Sequence, residues 1–216
     1  SPGALVYSYS PTTMRHCKIT TPNGNGWHGG FRMWHNYGPN IIEDNRFERG
    51  SPAFLAQWPG GGDPIKLKRC DFNNNVYGAK VLGGNFTVQD CNFYDHSQEA
   101  IVGSQLSGNS VITGSDLNNY TDYGTGIILS SQSGAVVTVS KTNVRNFHEG
   151  MSITNSVNVK SLCSVYESNG ENGVLVDYAH LYLDNYAGNQ FLDNGTIHIR
   201  VNTDEQLSAG LYLKDG

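Results

Sequence analysis

Leu67-Lys68-Arg69-Cys70-Asp71-Phe72, Val88-Gln89-Asp90-Cys91-Asn92-Phe93 and Ile112-Thr113-Gly114-Ser115-Asp116-Leu117 are three copies of one pattern. Each runs apolar, two spacers, a small residue, one spacer, apolar. A polar turn rich in Asn follows, then usually a Gly and an alternating β-branched run. Self-similarity at a period of roughly 20 to 50 residues marks a stacked architecture, because one such unit cannot bury its apolar face alone. With the second apolar residue as anchor, the series is Ile19, Phe47, Phe72, Phe93, Leu117, Val144, Val165 and Phe191, at intervals of 28, 25, 21, 24, 27, 21 and 26. A strict hexapeptide coil would not wander in this way, a propeller blade needs about 40 to 50 residues, and leucine-rich repeats need far more Leu. A parallel coil with turns of unequal length fits the series.

Two residues before the anchors stand Cys17, Asn45, Cys70, Cys91, Ser115, Thr142, Cys163 and Asn189. This places all four cysteines in one column, with no C-x-x-C spacing among them, and predicts buried free thiols rather than disulfides or a zinc site. A second column follows the turn in Phe31-Arg32-Met33, Ala79-Lys80-Val81, Ile127-Ile128-Leu129, Met151-Ser152-Ile153, Val174-Leu175-Val176 and Ile197-His198-Ile199. Period-two alternation puts the outer members of each triplet on one face. Each rung then gives at least two short strands to a continuous core, about seven to eight rungs in all, with neighbours about 4.8 Å apart. Residues 1 to 13 and the sequence after Gln206 fit the pattern poorly. Residues 1–216 are expected to form a single β-helix domain that is a piece of a longer chain or caps itself by assembling.

Composition agrees. The 216 residues include 26 Gly and only 15% charged side chains, as many short strands joined by turns require. No apolar run approaches the roughly 18 residues of a membrane span, so membrane insertion is not expected. A net charge of -5 argues against nucleic acid as a partner. That charge is unevenly spread. Residues 1 to 80 hold nine Lys and Arg against five Asp and Glu, and residues 81 to 216 hold five against fourteen.

The rungs resemble the right-handed parallel β-helix of the pectate-lyase-like superfamily, above all the repeats of bacteriophage tailspikes and polysaccharide depolymerases. The resemblance covers about residues 14 to 200 and lies in the repeat, since the paired aspartates and Gly-His-Gly of pectin hydrolases and the Asp-Pro-His of alginate epimerases are absent. It implies a polysaccharide partner, a location outside the cell or on a virion surface, and a homotrimer of chains side by side.

The turn before the Gly-led strand recurs in every rung, so residues distant in sequence meet there: Trp27 and His28; Val76 and Tyr77; Asp95, His96 and Glu99; Asp122 and Tyr123; His148 and Glu149; Glu167 and Glu171. In register, Asp122 and Glu149 would be about 5 Å apart and Glu99 and Glu149 about 10 Å. Paired carboxyls at such spacings hydrolyse glycosides, one donating a proton to the leaving oxygen while the other attacks or activates water. Glu99 and Glu149, with Asp122 between them, are the candidate catalytic residues. Trp27, His28, Trp34, Trp58, His96, Tyr123, His148 and Glu171 are the candidate substrate-binding residues, the tryptophans as stacking faces for sugar rings. A lyase would use His96 or His148 as base, with Arg32 or Lys80 neutralising a uronate carboxyl. A non-catalytic carbohydrate adhesin and a structural shaft are the other readings. His28 and His35 lack a third ligand, and no nucleotide motif occurs, so neither a metal nor a cofactor is implied.

Overall fold

The computed structural model describes residues 6–21, 29–34, 38–58, 63–131, 134–184, 188–202 and 210–214. All described regular structure is strand, and all strand pairing is parallel. Among the described residues the strands form three sheets of nine, nine and eight strands, each sheet taking every third strand of the chain. The first sheet runs from Val6–Ser8 to Ile197–Asn202, the second from Thr13–Arg15 to Gly210–Lys214, and the third from Lys18–Thr20 to Gln190–Leu192. The chain is therefore a parallel β-solenoid, one strand of each sheet per turn. Both poorly patterned ends contribute to it. Val6–Ser8 pairs with Phe31–Met33, and Gly210–Lys214 pairs with His180–Asp184.

The anchors form the inward row of the third sheet, in the register Ile19↔Phe47↔Phe72↔Phe93↔Leu117↔Val144. Phe47, Phe72 and Phe93 stack with ring centroids 4.8 and 4.5 Å apart and no solvent exposure. One anchor differs from expectation. Val144 pairs with Tyr166, not Val165, and Tyr166 pairs with Phe191. Tyr166 takes the core position because its ring stacks on Phe191 at 5.1 Å while its hydroxyl lies 3.0 Å from Ser161 Oγ, which satisfies the buried polar group. Burial pushes that phenol up to about 12.

This slip changes the cysteine column. Ser164, not Cys163, occupies the inner row, where it accepts from the Thr142 amide and donates to the Leu162 carbonyl at 3.2 Å. Cys17 reaches the row at its exposed first rung, and its amide donates to Asn45 Oδ1 at 2.8 Å. Cys70 and Cys91 are buried, so two of the four free thiols fit the expectation and two, Cys17 and Cys163, are exposed. Cys163 instead belongs to the corner between the second and third sheets. There the backbone turns through the left-handed region at His16, Asp44, Arg69, Asp90, Gly114, Lys141 and Cys163.

A second left-handed corner leads from the third sheet to the first, at Arg49, Asn74, Asp95, Asn146, Ser168 and Asp193. Asn and Asp tolerate this conformation better than most side chains, which accounts for much of the Asn-rich turn signal. The next residue points inward and caps its neighbours' backbone. Asn75 accepts from the Gly50 amide at 2.7 Å, Asn169 from Phe147 at 3.2 Å and Asn194 from Asn169 at 3.2 Å. His96 and Phe147 take this inner position in their rungs, both nearly free of solvent contact.

Inward rows of the first sheet follow the predicted triplets, with Phe31↔Phe54↔Ala79↔Ile101↔Ile127↔Met151↔Val174 in register. At the end Val174 pairs with Ile199, so the final triplet is Ile199-Arg200-Val201 and not Ile197-His198-Ile199. The Gly that leads these strands is required by close approach: at Gly150 a Cβ would lie 2.4 Å from the Gly173 carbonyl oxygen of the next rung.

Candidate active site

The second left-handed corner delivers each turn onto the outer edge of the first sheet, where one residue per rung points outward just before the small inward residue. The column reads Tyr77, Glu99, Thr125, Glu149, Asn172, Ile197, of which Asn172 is buried. Its rungs are tied by the Gly78 amide to the Glu99 carbonyl at 3.0 Å, the Ala100 amide to the Thr125 carbonyl at 3.2 Å, and the register Thr125↔Glu149↔Asn172↔Ile197. Glu99 and Glu149 are therefore two rungs apart, about 9.6 Å along the axis at ordinary strand spacing. Between them a cleft of about 470 Å³ is lined by Gln98, Glu99, Tyr123, Gly124, Thr125, His148 and Glu149.

Gly124 makes the floor of this cleft. Its φ of +71° is left-handed, and a Cβ there would fall 1.8 Å from the Gln98 carbonyl oxygen, so only glycine lets these two rungs approach. The preceding loop supplies a wall. The turn from Leu117 to Thr125 is longer than those from Phe93 to Glu99 and from Val144 to Glu149, and it lacks the left-handed residue before its inward Asn119. Asn119 Nδ2 donates to the Tyr123 carbonyl at 2.7 Å and to the His96 carbonyl at 2.9 Å, holding the loop at both ends. Tyr120 and Tyr123 project from it, 74% and 63% exposed.

Both cleft carboxyls are half-buried, and both are shifted upward. Burial raises Glu99, an effect that the positive charge of Lys80 opposes. Burial also raises Glu149, and the neighbouring carboxylate of Glu171 adds to the rise. Glu99 Oε2 is shielded from solvent and meets no hydrogen-bond partner. Glu171 lies one rung beyond His148, with His148 Nε2 3.1 Å from Glu171 Oε2 and Arg200 Nη1 3.6 Å from Glu171 Oε1. A cleft with two partly desolvated carboxyls on opposite walls can hold a proton on one side and accept one on the other.

Of the sequence-predicted residues, Glu99, Glu149, Tyr123 and His148 line this cleft, and Glu171 supports His148 from the next rung. Asp122 does not stand between the two glutamates; Thr125 does. The longer loop carries Asp122 outward and past the following rung to the one after it, where its carboxylate occupies the space a Cβ on Gly170 would take. His96 is inside the coil, 1% exposed, and burial pushes it down to about 4, so no glycan at the surface reaches its ring. Trp34, at the end of the strand Phe31–Trp34, and Trp58, just past the strand Phe54–Gln57, pack edge to face at 5.4 Å, with Arg32 over the Trp34 ring at 5.1 Å. They lie rungs before the cleft, Phe31–Trp34 about 14 Å along the axis from the Ile101 rung, and at the opposite end of their strands. Trp27, His28 and His35 lie outside the described residues.

Sequence reasoning missed Gln98, Gly124 and Thr125 as lining residues and Arg200 as the partner of Glu171. Counting back from the buried triplet Ile127-Ile128-Leu129 would have placed Thr125 in the column. Nothing local in the sequence marks Arg200. Among the described residues no group of three or more His, Cys, Asp and Glu is arranged to hold a metal ion. No protein-family model, curated protein or solved structure matches the chain.

Proposed function

We propose that the chain binds a cell-surface polysaccharide at this cleft and hydrolyses it, with Glu99 and Glu149 as the acid–base pair. The observation that carries the reading is the cleft itself: two half-buried glutamates in one outward column, separated by the Thr125 rung, with an exposed tyrosine on the wall between. Their axial separation of about 9.6 Å is close to the roughly 6.5 to 9.5 Å between carboxyls of inverting glycosidases, where a water must fit beside the sugar. In that reaction one carboxylate takes a proton from water, the water oxygen bonds to the anomeric carbon, and the glycosidic C–O bond breaks. The other carboxyl gives its proton to the leaving oxygen, and both groups reset by exchange with solvent. Tyr123 offers an amphipathic ring for a sugar face. With His96 inside the coil, a lyase would have to rely on His148, which already faces Glu171.

The test is release of reducing ends from a panel of bacterial surface polysaccharides, with ultraviolet absorbance followed for an unsaturated product. The expected result is reducing ends without absorbance, and a loss of about 10²- to 10⁴-fold in Glu99→Gln and Glu149→Gln. Absorbance growing with the reducing ends would convert the reading to a lyase. Glycan binding without cleavage by folded protein would convert it to an adhesin.

A further inference from the structure

Two carboxyls that are both raised by burial do not by themselves form an acid–base pair; something must set them apart. We propose that Lys80 is a positioning residue that holds Glu99 as the base of the pair and leaves Glu149 as its acid. This rests on the hydrolytic reading of the cleft. Lys80 is the outward member of Ala79-Lys80-Val81, one rung before Glu99. Across the sheet its neighbours are apolar, Leu55 on one side and Val102 on the other, both at most 9% exposed. Its ammonium lies 3.6 Å from the centre of the Tyr77 ring, and Tyr77 is the residue beside Glu99 in the preceding rung of the column. The ring fixes the cation at the corner through its negative face, so the charge stays on the rung before Glu99 rather than sweeping through solvent.

The charged groups beside the two carboxyls differ: Lys80 at Glu99, and Glu171 with its partners His148 and Arg200 at Glu149. Glu99 faces Tyr77 and Lys80 from the rung before, Thr125 from the rung after, and Tyr123 and His148 across the cleft. Glu149 faces His148 on its own rung and Glu171 on the next, the latter held by Arg200. Burial raises both carboxyls; the charge that acts most on Glu99, that of Lys80, opposes the rise, whereas at Glu149 the carboxylate of Glu171 reinforces it while Asn172, His148 and Arg200 oppose it. Lys80 in turn is lowered by its burial and raised by Glu99, and Tyr77 is raised by burial and by Glu99, so the three groups respond to one another. Pairs of titratable groups driven apart by their surroundings identify acid and base roles. Lys80 does not line the cleft, so it acts through Glu99 and not on the sugar.

The test uses the whole chain with carboxyl-labelled glutamate, titrated by NMR in the parent, Lys80→Met and Lys80→Arg. The expected result is that Glu99 ionises before Glu149 in the parent. In Lys80→Met its midpoint moves up by about half a pH unit to one unit while Glu149 stays, and Lys80→Arg restores the parent order. Tyr77→Leu, which removes the ring under the ammonium, gives a smaller shift of the same sign and serves if Lys80→Met does not fold. An unmoved Glu99 in both variants, or Glu149 ionising first in the parent, overturns the proposal. On any glycan the parent cleaves, the acidic limb of kcat/KM moves with the Glu99 midpoint. If the titration order holds and no glycan is cleaved, the division of the two carboxyls stands and the hydrolytic reading falls.

Discussion

Phe72 and Glu99 sit in neighbouring turns of the same coil and show two ways of using a rung. Phe72 is sandwiched between Phe47 and Phe93 at 4.8 and 4.5 Å with no exposure, so every atom of its ring is in contact. Glu99, just past the corner from Phe93, is half-buried with one carboxylate oxygen shielded from solvent and unbonded. The interior rows gain from burial and stacking, whereas the outer column between Tyr77 and Asn172 keeps carboxyls in surroundings that penalise their charge. In a solenoid each rung leans only on its neighbours, so the stacked interior must support a locally unfavourable corner. Sites that break local rules while the surroundings obey them are where function is expected.

Substitution can break that contrast from either side. Phe72→Ala should cost the most, about 3 to 5 kcal/mol in chemical denaturation, because both stacked neighbours lose a face and the cavity cannot collapse between fixed rungs. Gly124→Ala should cost about 1 to 3 kcal/mol, since a left-handed φ and the clash with the Gln98 carbonyl must both be relieved. The same variant should lose cleavage of any glycan the parent cleaves, whereas an alanine at exposed Tyr120 should leave stability unchanged within about 0.5 kcal/mol.

Glu149→Gln sharpens the contrast, because it should stabilise while it inactivates. The folded-state pKa of Glu149 lies above its unfolded value, so the native state holds the proton more tightly. The stabilisation from that proton is complete below the unfolded value, near pH 4, and is lost as the pH rises through the raised folded value. At pH 7 the variant should therefore exceed the parent in stability, by an amount the group's partial exposure keeps small, and the gap should close on acidification to about pH 4. A variant less stable than the parent at pH 7 would show that the carboxylate is favourably held. The smallest effect is expected from Asp122→Ala and Trp58→Ala, each changing cleavage by less than about threefold, because neither side chain reaches the cleft. A loss of 100-fold in Asp122→Ala would return that loop to the chemistry.

The two regions were not equally legible in the sequence. The interior was read almost completely, since Ile19, Phe47, Phe72, Phe93, Leu117 and Val144 are all in one ladder. The error at Val165 arose where two β-formers stand side by side, and only the stacking of Tyr166 on Phe191 separates them. That single shift moved Cys163 from the inner row to a left-handed corner and exposed its thiol. At the cleft, the two-rung spacing of Glu99 and Glu149 was legible. The position of Asp122 was misread because residues in a turn were aligned as if every turn had the same length.

The sequence by itself determined the parallel coil, at least two strands per turn and the inward rows, because burial demands a strict period of two within strands and the same apolar positions in every turn; the third wall came from the structure. The tertiary structure decided which outward residues meet. Turns are free to vary in length as long as their ends rejoin the ladder, so the Asn119–Gly124 loop could lay Asp122 over Gly170 and leave Thr125 between the glutamates. It also decided that Lys80 would rest on Tyr77 beside Glu99, and that Arg200 would reach Glu171. Those contacts follow from stacking register and side-chain reach between rungs, neither of which is written in any single stretch of the chain.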